Sequence, residues 1–174
     1  FEQYYGMART IASQVVDPAH RTTLVGCQPA SATGADDGCA QEFLGQVGRL
    51  LFRRPLTSAE LQSEVAVARE AAESAQDFYA GLGAGLTNLL ISPNFLFRHE
   101  NLNPESANRG EYEIDAFAKA SRLSFLLWDT APDDELLRAA ESGELDSRRG
   151  LRKQVERMIA SPRLETGVRA FFSD

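Results

Sequence analysis

Apolar residues return every three or four positions along almost every long segment of this chain, and no stretch alternates apolar and polar residues as a half-buried strand would. That period predicts an all-α protein, a compact domain of about seven or eight helices. A first helix over 3–16 sets Tyr4, Ala8, Ile11, Ala12 and Val15 on one side and stops at Asp17-Pro18. Phe43, Leu44, Val47, Leu50 and Leu51 form the stripe of the next. It ends at Arg53-Arg54-Pro55, because proline disfavours helical geometry in the residue before it. Thr57 and Glu60 then make a capping box, in which the hydroxyl and the carboxylate satisfy each other's backbone amides. The helix they open runs to about Ala75 with Leu61, Val65, Ala68 and Ala72 along it.

The following helix, about 78–91, carries Gly81, Gly83 and Gly85. Each glycine costs on the order of 1 kcal/mol relative to alanine, so the run needs a reason. A phosphate cradle would need a strand before it and a Lys-Ser/Thr pair after it, and neither is present. Close approach of two packed helices is the expectation. Residues 94–100, too short for a domain helix and rich in aromatics, read as a buried connector. The polar stretch 101–110, with Pro104 and Gly110, reads as an internal boundary or exposed loop. From Glu113 to Trp128 the chain is apolar nearly all round, so that helix is expected to be enclosed on most sides at the centre of the fold. Further helices begin at Pro132-Asp133-Asp134-Glu135, at Asp146 or Ser147, and at Ser161-Pro162. The last halts at Phe171-Phe172, two residues that read as core whose partners lie elsewhere.

Two cysteines, Cys27 and Cys39, bracket eleven residues of loop composition. A metal site lacks ligands, since His20 and His99 are the only histidines and neither stands at ligand spacing from a cysteine. A disulfide closing the loop is the expectation, worth roughly 3 kcal/mol on a chain-entropy account and implying an oxidising compartment. Two reduced thiols are the alternative.

The net charge of −7 argues against nucleic acid, whose binders neutralise phosphates with a basic face, and against an anionic membrane surface. No apolar run approaches the ~20 residues needed to span a bilayer. The sequence opens on Phe1 rather than Met, so a removed leader or a longer parent chain is expected.

Several motifs occur in a family's order. Cys27-Gln28-Pro29, Cys39-Ala40 and Phe52-Arg53-Arg54-Pro55-Leu56-Thr57 resemble the planctomycete-type PSD-five domain. Ile91-Ser92-Pro93-Asn94-Phe95-Leu96-Phe97-Arg98-His99-Glu100 is similar to the opening of the PSD-four domain that follows it. Ala120-Ser121-Arg122-Leu123-Ser124-Phe125-Leu126-Leu127-Trp128, Pro132-Asp133-Asp134-Glu135-Leu136-Leu137 and Arg157-Met158-Ile159-Ala160-Ser161-Pro162-Arg163 resemble the rest of it. The resemblance covers about residues 25–174 and implies a PSD-five-like segment over 25–91 and a PSD-four-like segment over 92–174, truncated at its end, after the N-terminal helix and linker over 1–24. It also implies an address outside the cytosol (periplasm, outer surface or medium) in a large bacterial protein with other PSD modules and often c-type cytochrome modules. It implies no reaction. The Cys-x-x-Cys-His haem attachment is absent here, so no cofactor is expected on this chain and haem c would belong to linked modules or partners. Downstream modules, or a complementary polypeptide packing on Phe171 and Phe172, are the expected partners.

Charged residues amid apolar ones are paired or functional, because burying a lone charge is costly. As a site, Glu100 or Asp129 would act as acid or base, Arg98 and Arg122 would hold an anion, and His99 would shuttle a proton. As structure, Arg98, Glu100, Arg122 and Asp129 would form a buried ion-pair network fixing the helices. Arg53-Arg54 would likewise clamp an anion or neutralise the carbonyl end of the helix they terminate. No nucleophile elbow appears. The expectation is a non-catalytic scaffold or interaction module. The alternative is one wall of an oxidoreductase site lying mainly in neighbouring modules.

Overall fold

The computed structural model describes residues 2–98, 100 and 113–173, and among them there are α-helices and short turns but no strand. Among the described residues ten α-helices are present, and eight of these run for eight residues or more. The chain divides into two compact units, 1–97 and 98–174.

The first unit holds α1 (Glu2–Val16), α2 (Arg21–Leu24), α3 (Asp37–Phe52), α4 (Ser58–Ala75), α5 (Phe78–Ile91) and the single turn α6 (Pro93–Leu96). Its core gathers Ala8 and Ala12 of α1, Phe43 and Leu44 of α3, Val65 and Ala68 of α4, and Phe78, Leu82, Leu86 and Leu89 of α5. Helix α5 packs on α4, α1 and α3. Two of its glycines explain how. A Cβ at Gly81 would fall 2.3 Å from the Ala68 carbonyl oxygen and 2.5 Å from the Ala72 Cβ. One at Gly85 would lie 3.0 Å from a Leu44 methyl. Helices α4 and α5 therefore meet backbone to backbone, which bears out the close-approach reading and makes the propensity cost of glycine worth incurring.

The helix ends follow their caps. Thr57 N donates to Glu60 Oε2 (2.8 Å) and Glu60 N to Thr57 Oγ1 (3.2 Å), completing the capping box. Asp36 caps α3 by accepting from Cys39 N (3.0 Å), and its other oxygen accepts from Ala30 N (2.9 Å). The Cys27–Cys39 disulfide is formed, with Cα atoms 5.6 Å apart, and Phe78 N donates to Ala32 O to tie the closed loop to the start of α5. Asp36 is held below its ordinary carboxylate value by the amides of Ala30 and then Cys39.

The second unit holds α7 (Ala116–Trp128), α8 (Asp134–Glu141), a 3-10 turn (Glu144–Asp146), α9 (Arg148–Ile159) and α10 (Arg163–Ser173). Its core is Trp128 with Ala120, Leu136, Ala139, Ala140, Leu145 and Met158. Trp128 Nε1 donates to the Met158 carbonyl (3.0 Å), and Arg157 and Arg163 lie over its ring at 5.4 and 5.1 Å.

Two expectations need correction. Helix α7 is not enclosed on most sides: Ala118, Ala120, Ser124 and Trp128 are buried, whereas Leu126 is 69% exposed. At ~100° per residue, Leu126 projects away from the face that Ser124 and Trp128 share, so counting apolar residues overstated the burial. Nor is the 94–100 connector buried. Asn94, Phe95 and Leu96 are half-buried, while Phe97, Arg98 and Glu100 are exposed. The 101–110 boundary and His99 lie outside the described residues.

Candidate functional site

Four residues were expected to share a site or a buried network, and the structure gives each a surface position in the second unit. Arg122 projects from the exposed face of α7. Its Nε donates to Glu100 Oε1 (2.7 Å) and its Nη2 to Oε2 (2.6 Å), a two-pronged guanidinium–carboxylate pair. The side chains are 59% and 45% exposed, so the pair stands in solvent rather than in the interior. Arg122 hydrogen bonding holds the Glu100 carboxyl below its ordinary value against the opposing effect of desolvation, and the charges of Arg122 and Arg98 add to the lowering. Arg98 lies over the Phe125 ring, 5.0 Å from its centroid. Asp129 ends α7 in the left-handed conformation (φ 52°), its amide donating to Phe125 O at 3.2 Å. Aspartate tolerates that conformation better than most residues because its short polar side chain can hydrogen-bond locally. The structure thus joins Arg122 to Glu100 and leaves Asp129 at a helix terminus.

The Arg53-Arg54 motif divides between the two readings. Arg53 is buried, and its guanidinium donates to the carbonyls of Asn94 (2.7 Å), Phe97 (2.8 Å) and Phe95 (3.3 Å). It therefore serves the carbonyl end of α6, forty residues away in sequence, rather than that of α3, which it terminates. Arg54 grips Glu60 with two bonds of 2.7 and 2.9 Å, and Asn94 Nδ2 donates to the same carboxylate at 3.3 Å. Arg54 and the Thr57 amide bring Glu60 down to about 2, against the opposing effect of burial. The motif closes a polar clasp over the ends of α3, α4 and α6.

Two polar features escaped the sequence reading. Glu64 on α4 is only 8% exposed, and both its oxygens accept from Asn88 Nδ2 on α5 (2.9 and 3.1 Å). Burial pushes its carboxyl up, partly offset by that amide. A glutamate at a helix position between Leu61, Val65 and Ala68 is the one signal that was available. In the second unit, Asp133 caps α8 through Leu136 N (2.9 Å) and accepts from Arg157 at 2.7 and 3.0 Å. Burial opposes its ionisation, yet Arg157 and the Leu136 amide hold it below the ordinary range. A helix start was foreseen at this residue, but the arginine partner was not. Among the described residues no group of three His, Cys, Asp or Glu is placed to hold a metal ion.

Fold and site together define an all-helical, disulfide-stapled protein of two units whose charged side chains are mostly closed on one another. Residues 39–100 match the family model PSD5, described as "Protein of unknown function (DUF1595)", and residues 114–174 match PSD4, "Protein of unknown function (DUF1592)". The chain belongs to the PSD domain family, with PSD5 followed by PSD4. No curated protein and no solved structure matches it.

Proposed function

We propose that this chain is a non-catalytic helical scaffold and interaction module of a larger exported bacterial protein of planctomycete type, one linked to c-type cytochrome modules. The observation that carries the reading is the closure of Arg122 on Glu100. A general acid or base works best with a pKa near the operating pH, and Glu100 is shifted the wrong way for that by its arginine partner. An anion holder must also present free donors, and the Nε and Nη2 donors of Arg122 that face Glu100 are spent on it. The alternative, one wall of an oxidoreductase site, requires that pair to open toward a substrate.

The surface supports the interaction role. On α10, Phe171 and Phe172 are 73% and 81% exposed, their rings edge to face at 5.3 Å, and Val168 one turn earlier is 47% exposed. Exposed aromatics grouped on one helix are characteristic of surfaces that another polypeptide covers. The occupant on this reading is a further module of the same protein or a complementary chain. The Cys27–Cys39 bridge supports an oxidising compartment, and among the described residues no helix is long and apolar enough to cross a membrane. Haem c belongs, on this reading, to a linked module.

Mass spectrometry of the native protein after chemical cross-linking tests this. The expected result is an intact disulfide, a haem mass on the linked polypeptide, and cross-links from α10 to another module. Two free thiols in protein isolated without reductant, or cross-links that avoid α10 altogether, would sink it.

A further inference from the structure

The first unit contains a groove that the scaffold reading does not use. It runs between α1 and α5 with a volume of about 930 Å³, within the roughly 300–1,000 Å³ span of small-molecule sites. Small residues of both helices form its floor. A Cβ at Gly83 would stand 3.5 Å from Val16, ordinary contact, so this glycine opens toward the groove whereas Gly81 and Gly85 press on α4 and α3. Helix α1 lies outside both matched stretches, 39–100 and 114–174.

The polar lining has a consistent sense. Thr10 Oγ1 donates to Gly6 O (2.9 Å), Ser13 Oγ to Thr10 O (2.8 Å) and Thr87 Oγ1 to Gly83 O (2.7 Å). A carbonyl oxygen cannot donate, so each hydroxyl proton is committed to its own helix and only oxygen lone pairs remain for a visitor. Asn88 is oriented in the same way: its Nδ2 faces Glu64, which leaves Oδ1 as its acceptor. Apart from the hydroxyls of Tyr5 and Tyr79, which can donate or accept, these side chains offer acceptors and call for a ligand rich in O–H donors. Among the described lining residues the single charge is Arg9, on a protein of net charge −7. Its guanidinium lies 5.9 Å from the centroid of the Tyr5 ring, and no carboxylate pairs with it among the described residues. A ligand that matches this lining carries one anionic group and several hydroxyls.

We propose that the groove between α1 and α5 binds a hydroxylated carboxylic acid of the uronate type, its carboxylate on Arg9 and its hydroxyls donating to Thr10, Ser13, Thr87 and Asn88. Apolar groups of the ring would lie along the small-residue floor. The chemistry is the same for a free sugar acid and for the end of an acidic polysaccharide, and chain length separates the two.

The test is a titration of the isotope-labelled chain, followed by amide chemical shifts, with sodium D-galacturonate, its linear trimer, D-galactose and sodium hexanoate. Galacturonate is expected to shift amides of α1 and α5 and to bind about tenfold more tightly than either galactose or hexanoate, the worth of one charge-assisted contact or of the hydroxyl set. Arg9→Gln, at an exposed position, should bring galacturonate down to the affinity of galactose. Thr10→Val with Ser13→Ala should bring it down toward that of hexanoate, with Thr87 and Asn88 still accepting. A trimer that binds more tightly than the monomer identifies a polysaccharide source, and equal affinities identify the free acid; both support the proposal. Hexanoate binding as tightly as galacturonate would show an apolar docking groove instead and overturn it. Shifts that avoid α1 and α5, or an Arg9→Gln variant with unchanged affinity, would overturn it as well.

Discussion

The two units solve the same packing problem in opposite ways. In the first, α5 reaches α4 because side chains are missing at Gly81 and Gly85, and backbone touches backbone. In the second, one large side chain, Trp128, fills the centre, hydrogen-bonded to Met158 O and overlaid by two arginines, and the close backbone approaches, at Gly150 and Gly167, lie around it. An interface made by absence tolerates no addition, and one made around a large residue tolerates no removal. The polar groups divide similarly. The first unit buries Arg53 and Glu64, whereas the pair expected to be buried in the second, Arg122 with Glu100, stands in solvent.

The sharpest way to break this comparison is Trp128→Ala. Removing the ring should cost about 3–5 kcal/mol by chemical denaturation, as aromatic-to-alanine changes in cores do. A loss below 1 kcal/mol would mean that the second unit does not depend on it. Next comes Gly81→Val, which drives a branched side chain into the Ala68 carbonyl and should cost about 3 kcal/mol, with faster amide exchange in α4 and α5. Valine tolerated there would refute backbone contact. Arg53→Met should cost about 2 kcal/mol, because three carbonyls at the end of α6 lose a charged donor, with amide exchange rising first at 94–97.

Glu64→Gln should act in the other direction, by about 1 kcal/mol at neutral pH. The folded carboxyl sits above its unfolded value of 4.5, so the folded state holds the proton more tightly. That contribution is fully present below pH 4.5 and is lost as pH rises through the folded value. Denaturation midpoints of the parent and the variant should therefore diverge as pH climbs above 4.5, the variant becoming the more stable. Identical pH profiles would place Glu64 in water. The smallest effect belongs to Arg122→Ala, whose exposed pair should leave the denaturation midpoint unchanged. A clear loss there would make the surface pair structural and erase the contrast between the units.

Much of the helical order was legible in the residues. The capping box at Thr57 and Glu60, the stop at Pro55 and the opening at Asp133 depend on groups within four positions of one another, so spacing alone reveals them. The disulfide was legible because a polar, aperiodic loop lay between two cysteines that had no metal-binding neighbours. The short turns α2 and α6 were not, since four residues carry too little periodicity to register. The candidate site was legible only as a set of residue types. Arg98, Glu100, Arg122 and Asp129 stood out for being charged beside aromatics, but spacing could not say that Arg122 would meet Glu100 across 22 positions in solvent.

What the sequence by itself determined is the local order of this protein: an all-α chain, its caps and stops, its closed loop and its PSD5–PSD4 succession. Those features rest on contacts between near neighbours. Tertiary structure decided which glycine faces a helix and which opens a groove, which carbonyls Arg53 serves, and that Glu64 is buried while Glu100 is not. Each of these depends on what a distant helix brings to the same place, and burial is a property of that meeting rather than of the residue.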